Sequence, residues 1–174
     1  MQPPQERTFY HYKLLRKIKY GPWVNRVYIL LGFAAWMAAL WAEGFIGLTY
    51  GGLAWLVLFW IHYVIPRSLF VINRYHYRKR WGFQFKLPWI GFLPYEKQYV
   101  GFHYWMKVLL YITLIGALII GVMSIWLPIG FTIQFLFWHI WFLGPRWFAS
   151  IIALNISDDK LIKLGTQEFS IYKA

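Results

Sequence analysis

Residues 105–127 read WMKVLLYITLIGALIIGVMSIWL, and they decide how the chain is built. After Lys107 the run carries no charge. A helix rises about 1.5 Å per residue and the hydrocarbon core of a bilayer is roughly 30 Å thick, so about twenty such residues cross it. Working outward, three more stretches have the same character, at about 27–42, 51–70 and 129–150. The expected fold is therefore all-α and integral to a membrane, with four transmembrane helices arranged as two tandem hairpins. The segments around them divide the chain into a basic cytoplasmic arm (1–26), a first hairpin (27–72), a cytoplasmic or interfacial loop (73–104), a second hairpin (105–150) and a cytoplasmic tail (151–174).

Composition agrees with that reading. Of 174 residues, 60% are apolar, 23% aromatic and 14% charged, whereas a soluble domain carries about 25% charged residues. The chain has no Cys, which excludes disulfides, thiolate metal sites and thiol nucleophiles. The first 26 residues hold six Lys/Arg and no continuous apolar run, unlike a cleavable signal peptide.

Charge placement sets the expected orientation. Of the 18 basic residues, six precede the first stretch, eight lie between the second and third, and four follow the core of the fourth. The two opposite turns carry only Glu43. The positive-inside rule then puts both termini and the middle loop in the cytoplasm of a multi-pass cell-membrane protein. A net charge of +12 is read as orientation and contact with anionic lipid, without direct nucleic-acid contact.

Smaller patterns refine the picture. Residues 10–18 suit a short interfacial helix. Ala34/Ala38, Ala35/Ala39 and Ala117/Gly121 are small pairs at the spacing that lets helices approach closely in lipid, which points to the first and third helices as the central contact. Glu43 to Tyr50 reads as a short Gly-rich loop, and the tail from Ser157 as a polar turn followed by Leu161-Ile162-Lys163-Leu164 and a β-prone Phe169-Ser170-Ile171-Tyr172 end. The two halves look duplicated: 47 residues separate Tyr20 from Arg67 and also Tyr99 from Arg146, and both units end in Leu-Phe-Trp followed by Pro-Arg. Such copies would share one orientation, related by an axis along the membrane normal.

The chemistry of catalysis is not visible. Acid–base work needs positioned titratable groups, and none of the six acids sits within an apolar stretch. Phosphate loops, nucleophile elbows and zinc helices do not occur, so no enzyme activity, metal or cofactor is expected. His62 and His139, near the middle of the second and fourth helices, are the one pair that could ligate a b-type haem iron; the alternative is that each makes a hydrogen bond inside the bundle. Arg67 and Arg146, each after a proline, would meet lipid phosphate or an acidic partner. The apolar, proline-broken stretch 87–94 reads as a docking patch. Partner contact is assigned to Trp89, Phe92 and Leu93, assisted by Arg78, Lys79 and Arg80, because an apolar patch kept on a loop is usually an interaction surface.

The aromatic-basic arm Phe9-Tyr10-His11-Tyr12-Lys13, the Pro22 and Tyr28 before a hairpin, and that hairpin's close in Pro66-Arg67 resemble the TcpE-like membrane subunits of Gram-positive conjugation machineries. The resemblance spans roughly residues 9–80. The chain departs from the pattern in its second hairpin and in lacking a Leu-Pro-x-Pro element after Tyr28. The resemblance implies a non-enzymatic subunit of a conjugative DNA-transfer, type IV secretion channel, assembled with other membrane subunits and a secretion ATPase; a homo-oligomer is a separate expectation. The alternatives are a haem-b electron-transfer subunit, or a toxin-immunity or small transport protein. Transport is disfavoured because the stretches lack a polar pathway and broken half-helices.

Overall fold

The computed structural model describes residues 12–74, 80–96, 98–156 and 160–173. Its elements run β1 (Lys13–Lys19), α1 (Pro22–Ile72), β2 (Trp81–Lys86), β3 (Trp89–Pro94), β4 (Val100–Gly101), α2 (Phe102–Met123), α3 (Ile129–Leu154), β5 (Lys160–Leu164) and β6 (Glu168–Lys173). The all-α expectation of four transmembrane helices is overturned. Three helices and two antiparallel sheets are present among the described residues, and only α1 and α2 are long and apolar enough to cross a membrane. α3 is long enough, but it carries Gln134, His139 and Arg146.

The first two expected helices are one element, α1, interrupted at a single residue. Gly44 adopts φ 64°, ψ −147°, a combination open to glycine and strained for residues with a Cβ. The chain doubles back there, and a Cβ on Gly47 would run into the Ala39 carbonyl. Contacts with α3 show the reversal. Along the first arm, residues 22–43, Tyr28 stacks on Trp141 and Ala35 meets Gln134; along the second, 45–72, Tyr50 meets Phe131 and His62 meets His139. One arm runs antiparallel to α3 and the other parallel. The expected Gly-rich loop from Glu43 to Tyr50 is thus helical on both sides of one break.

α3 is the hub. Its buried residues recur every three or four positions (Gln134, Trp138, Phe142, Arg146, Ala149, Ala153), the stripe of a helix packed along its length. α2 packs on it through Gly116, where a Cβ would strike the His139 ring. The expected contact pair, Ala117 and Gly121, instead points outward.

Both sheets lie at one end of the helices, where β1 leads into α1, α1 into β2, β4 into α2 and α3 into β5. The larger sheet has the order β1-β6-β5-β4, and β2–β3 is a hairpin. Of the residues expected as an interfacial helix, Lys13–Ile18 lie in β1, which is paired from Lys13↔Lys173 to Lys19↔Glu168, while Tyr10 and His11 lie outside the described residues. Gly21 and Gly101 each switch an extended chain into a helix without a side-chain cap. Among the described residues, the opposite end holds the Gly44 break and the turn at 124–128, with Glu43 set against Gly130 in the first turn of α3, where helix geometry favours a carboxylate. Every described basic residue is on a strand, beside one, or within about two turns of the helix ends that meet the sheets.

Candidate functional site

The polar groups of the helical layer converge on α3. Gln134 donates from Nε2 to the Ala35 carbonyl on α1 at 3.3 Å. His139 Nε2 lies 3.3 Å from the Thr113 carbonyl on α2, and His139 Nδ1 lies 2.9 Å from His62 Nε2. With both rings neutral, one tautomer set satisfies this chain. A carbonyl only accepts, so His139 carries its proton on Nε2 and its Nδ1 accepts from His62 Nε2–H. The bare His62 Nδ1 is buried with no hydrogen-bond partner.

A haem iron does not fit this pair. Two imidazoles on opposite sides of an iron place their nitrogens about 4 Å apart, twice a metal–imidazole bond, with the macrocycle between the rings. Here the nitrogens touch at 2.9 Å and the rings meet edge to face at 73°. No group of three metal-ligating side chains occurs among the described residues.

Nearer the sheets, prolines shape the contacts. Pro145 has no N–H, so the Trp141 carbonyl loses its helical donor. Tyr28 replaces it, its hydroxyl donating to Trp141 O at 3.2 Å, while Trp141 Nε1 donates back to Tyr28 O at 3.0 Å. The two rings stack with centroids 4.0 Å apart. Tyr20 donates to the Pro145 carbonyl at 2.9 Å, and burial pushes its phenol above the ordinary value, so it remains a donor.

Arg146 is 2% exposed. Its Nη2 donates to the Ile90 carbonyl of β3 at 2.7 Å. β3 comes this close because its next residue is Gly91, at φ 119°, where a Cβ would lie 2.6 Å from Nη2. Ser150 donates to the Arg146 carbonyl at 2.7 Å and accepts Trp105 Nε1 at 2.8 Å. Ser150 is thus engaged with a carbonyl and an indole rather than with a base, and the two His rings are bonded to each other. The arrangement ties α1, α2 and the β2–β3 hairpin to α3. It is a set of latches.

The sequence-derived docking residues lie elsewhere than expected. Trp89, Phe92 and Leu93 are 1%, 4% and 1% exposed, because β3 turns them into the core: Trp89 against Tyr20 and Phe169, Phe92 against Tyr63 and Phe70. Burying such side chains contributes about 1.5–3 kcal/mol each, which explains why an apolar stretch sits there. Arg80 is exposed, and Arg78 and Lys79 lie outside the described residues. The hairpin's exposed rings are Phe83 and Phe85, stacked on Phe59; the alternation Phe83-Gln84-Phe85 was the available signal. Arg67 is exposed and donates to the Tyr63 hydroxyl at 2.6 Å. The burial of Arg146 had no local signal, since it depends on a strand 56 residues away. No family model matches the chain, and neither curated proteins nor solved structures show a significant similarity to it.

Proposed function

We propose that this chain is a non-enzymatic, membrane-embedded scaffold subunit, with its helical layer in lipid and its two sheets on the cytoplasmic face. The observation that carries this reading is an inverted polarity. The helices turn Gln134, His62, His139 and Arg146 inward and present Trp41 (90% exposed), Phe45, Leu114, Leu118 and Ile140 outward. An apolar surface on that scale calls for an apolar surrounding, and buried polar links between helices are what lipid-embedded bundles use. The basic residues beside the sheets support a cytoplasmic cap.

The TcpE-like resemblance extends the proposal to a conjugative DNA-transfer, type IV secretion complex, in which the chain would brace other membrane subunits and a secretion ATPase. The latched geometry, without a nucleophile–base pair among the described residues, supports bracing over chemistry. The test is in two steps. Membranes washed with alkaline carbonate should retain the chain, and a reporter fused at the C-terminus should face inward while one at the Gly44 break faces outward. Mild crosslinking in the native host should then recover membrane subunits and a secretion ATPase. Release by carbonate would overturn the membrane reading; recovery with respiratory enzymes would overturn the secretion reading.

A further inference from the structure

An apolar groove of about 560 Å³ runs between the first arm of α1 and α3, open to the outside and lined at its sheet end by Tyr20 and Pro88. Trp23 and Leu31 form one wall, Ile140 and Phe148 the other, and Gly144 leaves the floor open. Resting on the membrane reading above, we propose that this groove holds the hydrocarbon of one anionic phospholipid from the cytoplasmic leaflet.

The lining requires an apolar guest. Tyr20, Tyr28 and Trp141 each commit their polar group to a backbone carbonyl, leaving ring faces toward the groove. From Phe137 to Phe148 the groove follows α3 for about 16 Å, an elongated apolar slot that suits an extended hydrocarbon chain.

The mouth supplies the charge. Lys19 is exposed beside the lining residue Tyr20, and Arg26 is exposed one turn from Trp23. No described acid pairs with either. Tryptophan at the headgroup level with Lys and Arg beside it is the usual lipid-facing boundary, and here it stands at the entrance of a slot.

The full chain, reconstituted in nanodiscs of phosphatidylglycerol and phosphatidylcholine and released into mild detergent, should retain one phosphatidylglycerol by native mass spectrometry. Gly144→Leu should lower that retention roughly tenfold, since a Cβ there meets nothing within 4 Å and the added side chain enters the groove. Gly121→Leu is the matched control: its Cβ also meets open space, on α2, away from the groove. Lys19→Gln with Arg26→Gln should equalise the two lipids while keeping a bound chain. A benzophenone at Ile140 should capture a lipid-sized adduct. Unchanged retention in Gly144→Leu, or capture of a polypeptide at Ile140, would overturn the inference and leave the membrane reading standing. A chain that fails to enter nanodiscs would overturn both.

Discussion

Pro66-Arg67 and Pro145-Arg146 occupy matching points of the two helical units, yet their surroundings differ. Arg67 is exposed and turns back one helical turn to the Tyr63 hydroxyl; Arg146 is buried and crosses to the Ile90 carbonyl of another element. Pro145 frees the Trp141 carbonyl and Tyr28 fills it. Pro66 likewise removes the helical donor of the His62 carbonyl, and among the described residues no side chain replaces it. The difference arises because β3 docks on α3 at Arg146. The same Pro-Arg pattern serves a surface role at Arg67 and a latch at Arg146, and the third element decides which site does which.

The comparison breaks most sharply at Gly91. Valine there would combine a positive φ with a Cβ 2.6 Å from Arg146 Nη2. Backbone strain and the displaced charge-assisted bond together cost on the order of 3–5 kcal/mol. Gly91→Val should therefore lower the midpoint of thermal unfolding in detergent strongly and open the cap to protease at the β2–β3 hairpin. Parent-like melting would show that β3 is not held through Arg146.

The reach of sequence reasoning follows the same divide. The apolar runs that build α1, α2 and α3 were legible as helices because long stretches with so few charges have few alternatives, but their reading as four transmembrane helices was not upheld, and the common depth of His62 and His139 did not reveal that they bond to each other. Among the strands, β6 was legible from the β-prone run Phe169-Ser170-Ile171-Tyr172; the others were not. β1 is zipped to β6 from Lys13↔Lys173 onward, so nothing near Lys13 announces its partner. In β2 the alternation Phe83-Gln84-Phe85 is present, but the two rings face out while Gln84 is buried, the opposite of the faces such an alternation assigns. Stretch 87–94 was read as an exposed patch because its apolar character was visible and the core awaiting it was not. The latch at Arg146 depends on both of those unseen features.

Tyr28 sharpens the comparison with a smaller effect. Tyr28→Phe removes the donor that replaces the missing Pro145 N–H and should cost about 1–2 kcal/mol, the price of an unpaired, largely buried carbonyl. In a Pro145→Ala background the helix can supply its own N–H to Trp141 O, so the same substitution should cost about half as much. The double-mutant cycle, read by thermal unfolding in detergent, isolates this coupling from loss of packing. Strict additivity would mean that Tyr28 stabilises α3 by ring stacking alone.

The smallest effect is expected at Arg67, and it is the control on which the comparison stands. Its guanidinium lies 5.5 Å over the Tyr63 ring and its Nη1 bonds the Tyr63 hydroxyl, both on its own helix one turn away. Such an exposed contact links no second element, so Arg67→Gln should shift stability by no more than about 0.5 kcal/mol. Arg146→Gln keeps a polar head but is too short to restore the Ile90 contact, and it should cost several times more, because a buried carbonyl is left without its donor. The pair is best measured side by side in one detergent and at two salt concentrations. Screening acts mainly on exposed charges, so whatever small effect Arg67→Gln has should shrink further at high salt while the Arg146→Gln effect persists. Equal losses at the two positions would mean that the β2–β3 hairpin does not distinguish the two Pro-Arg sites, and that the Ile90 contact is not what makes Arg146 matter.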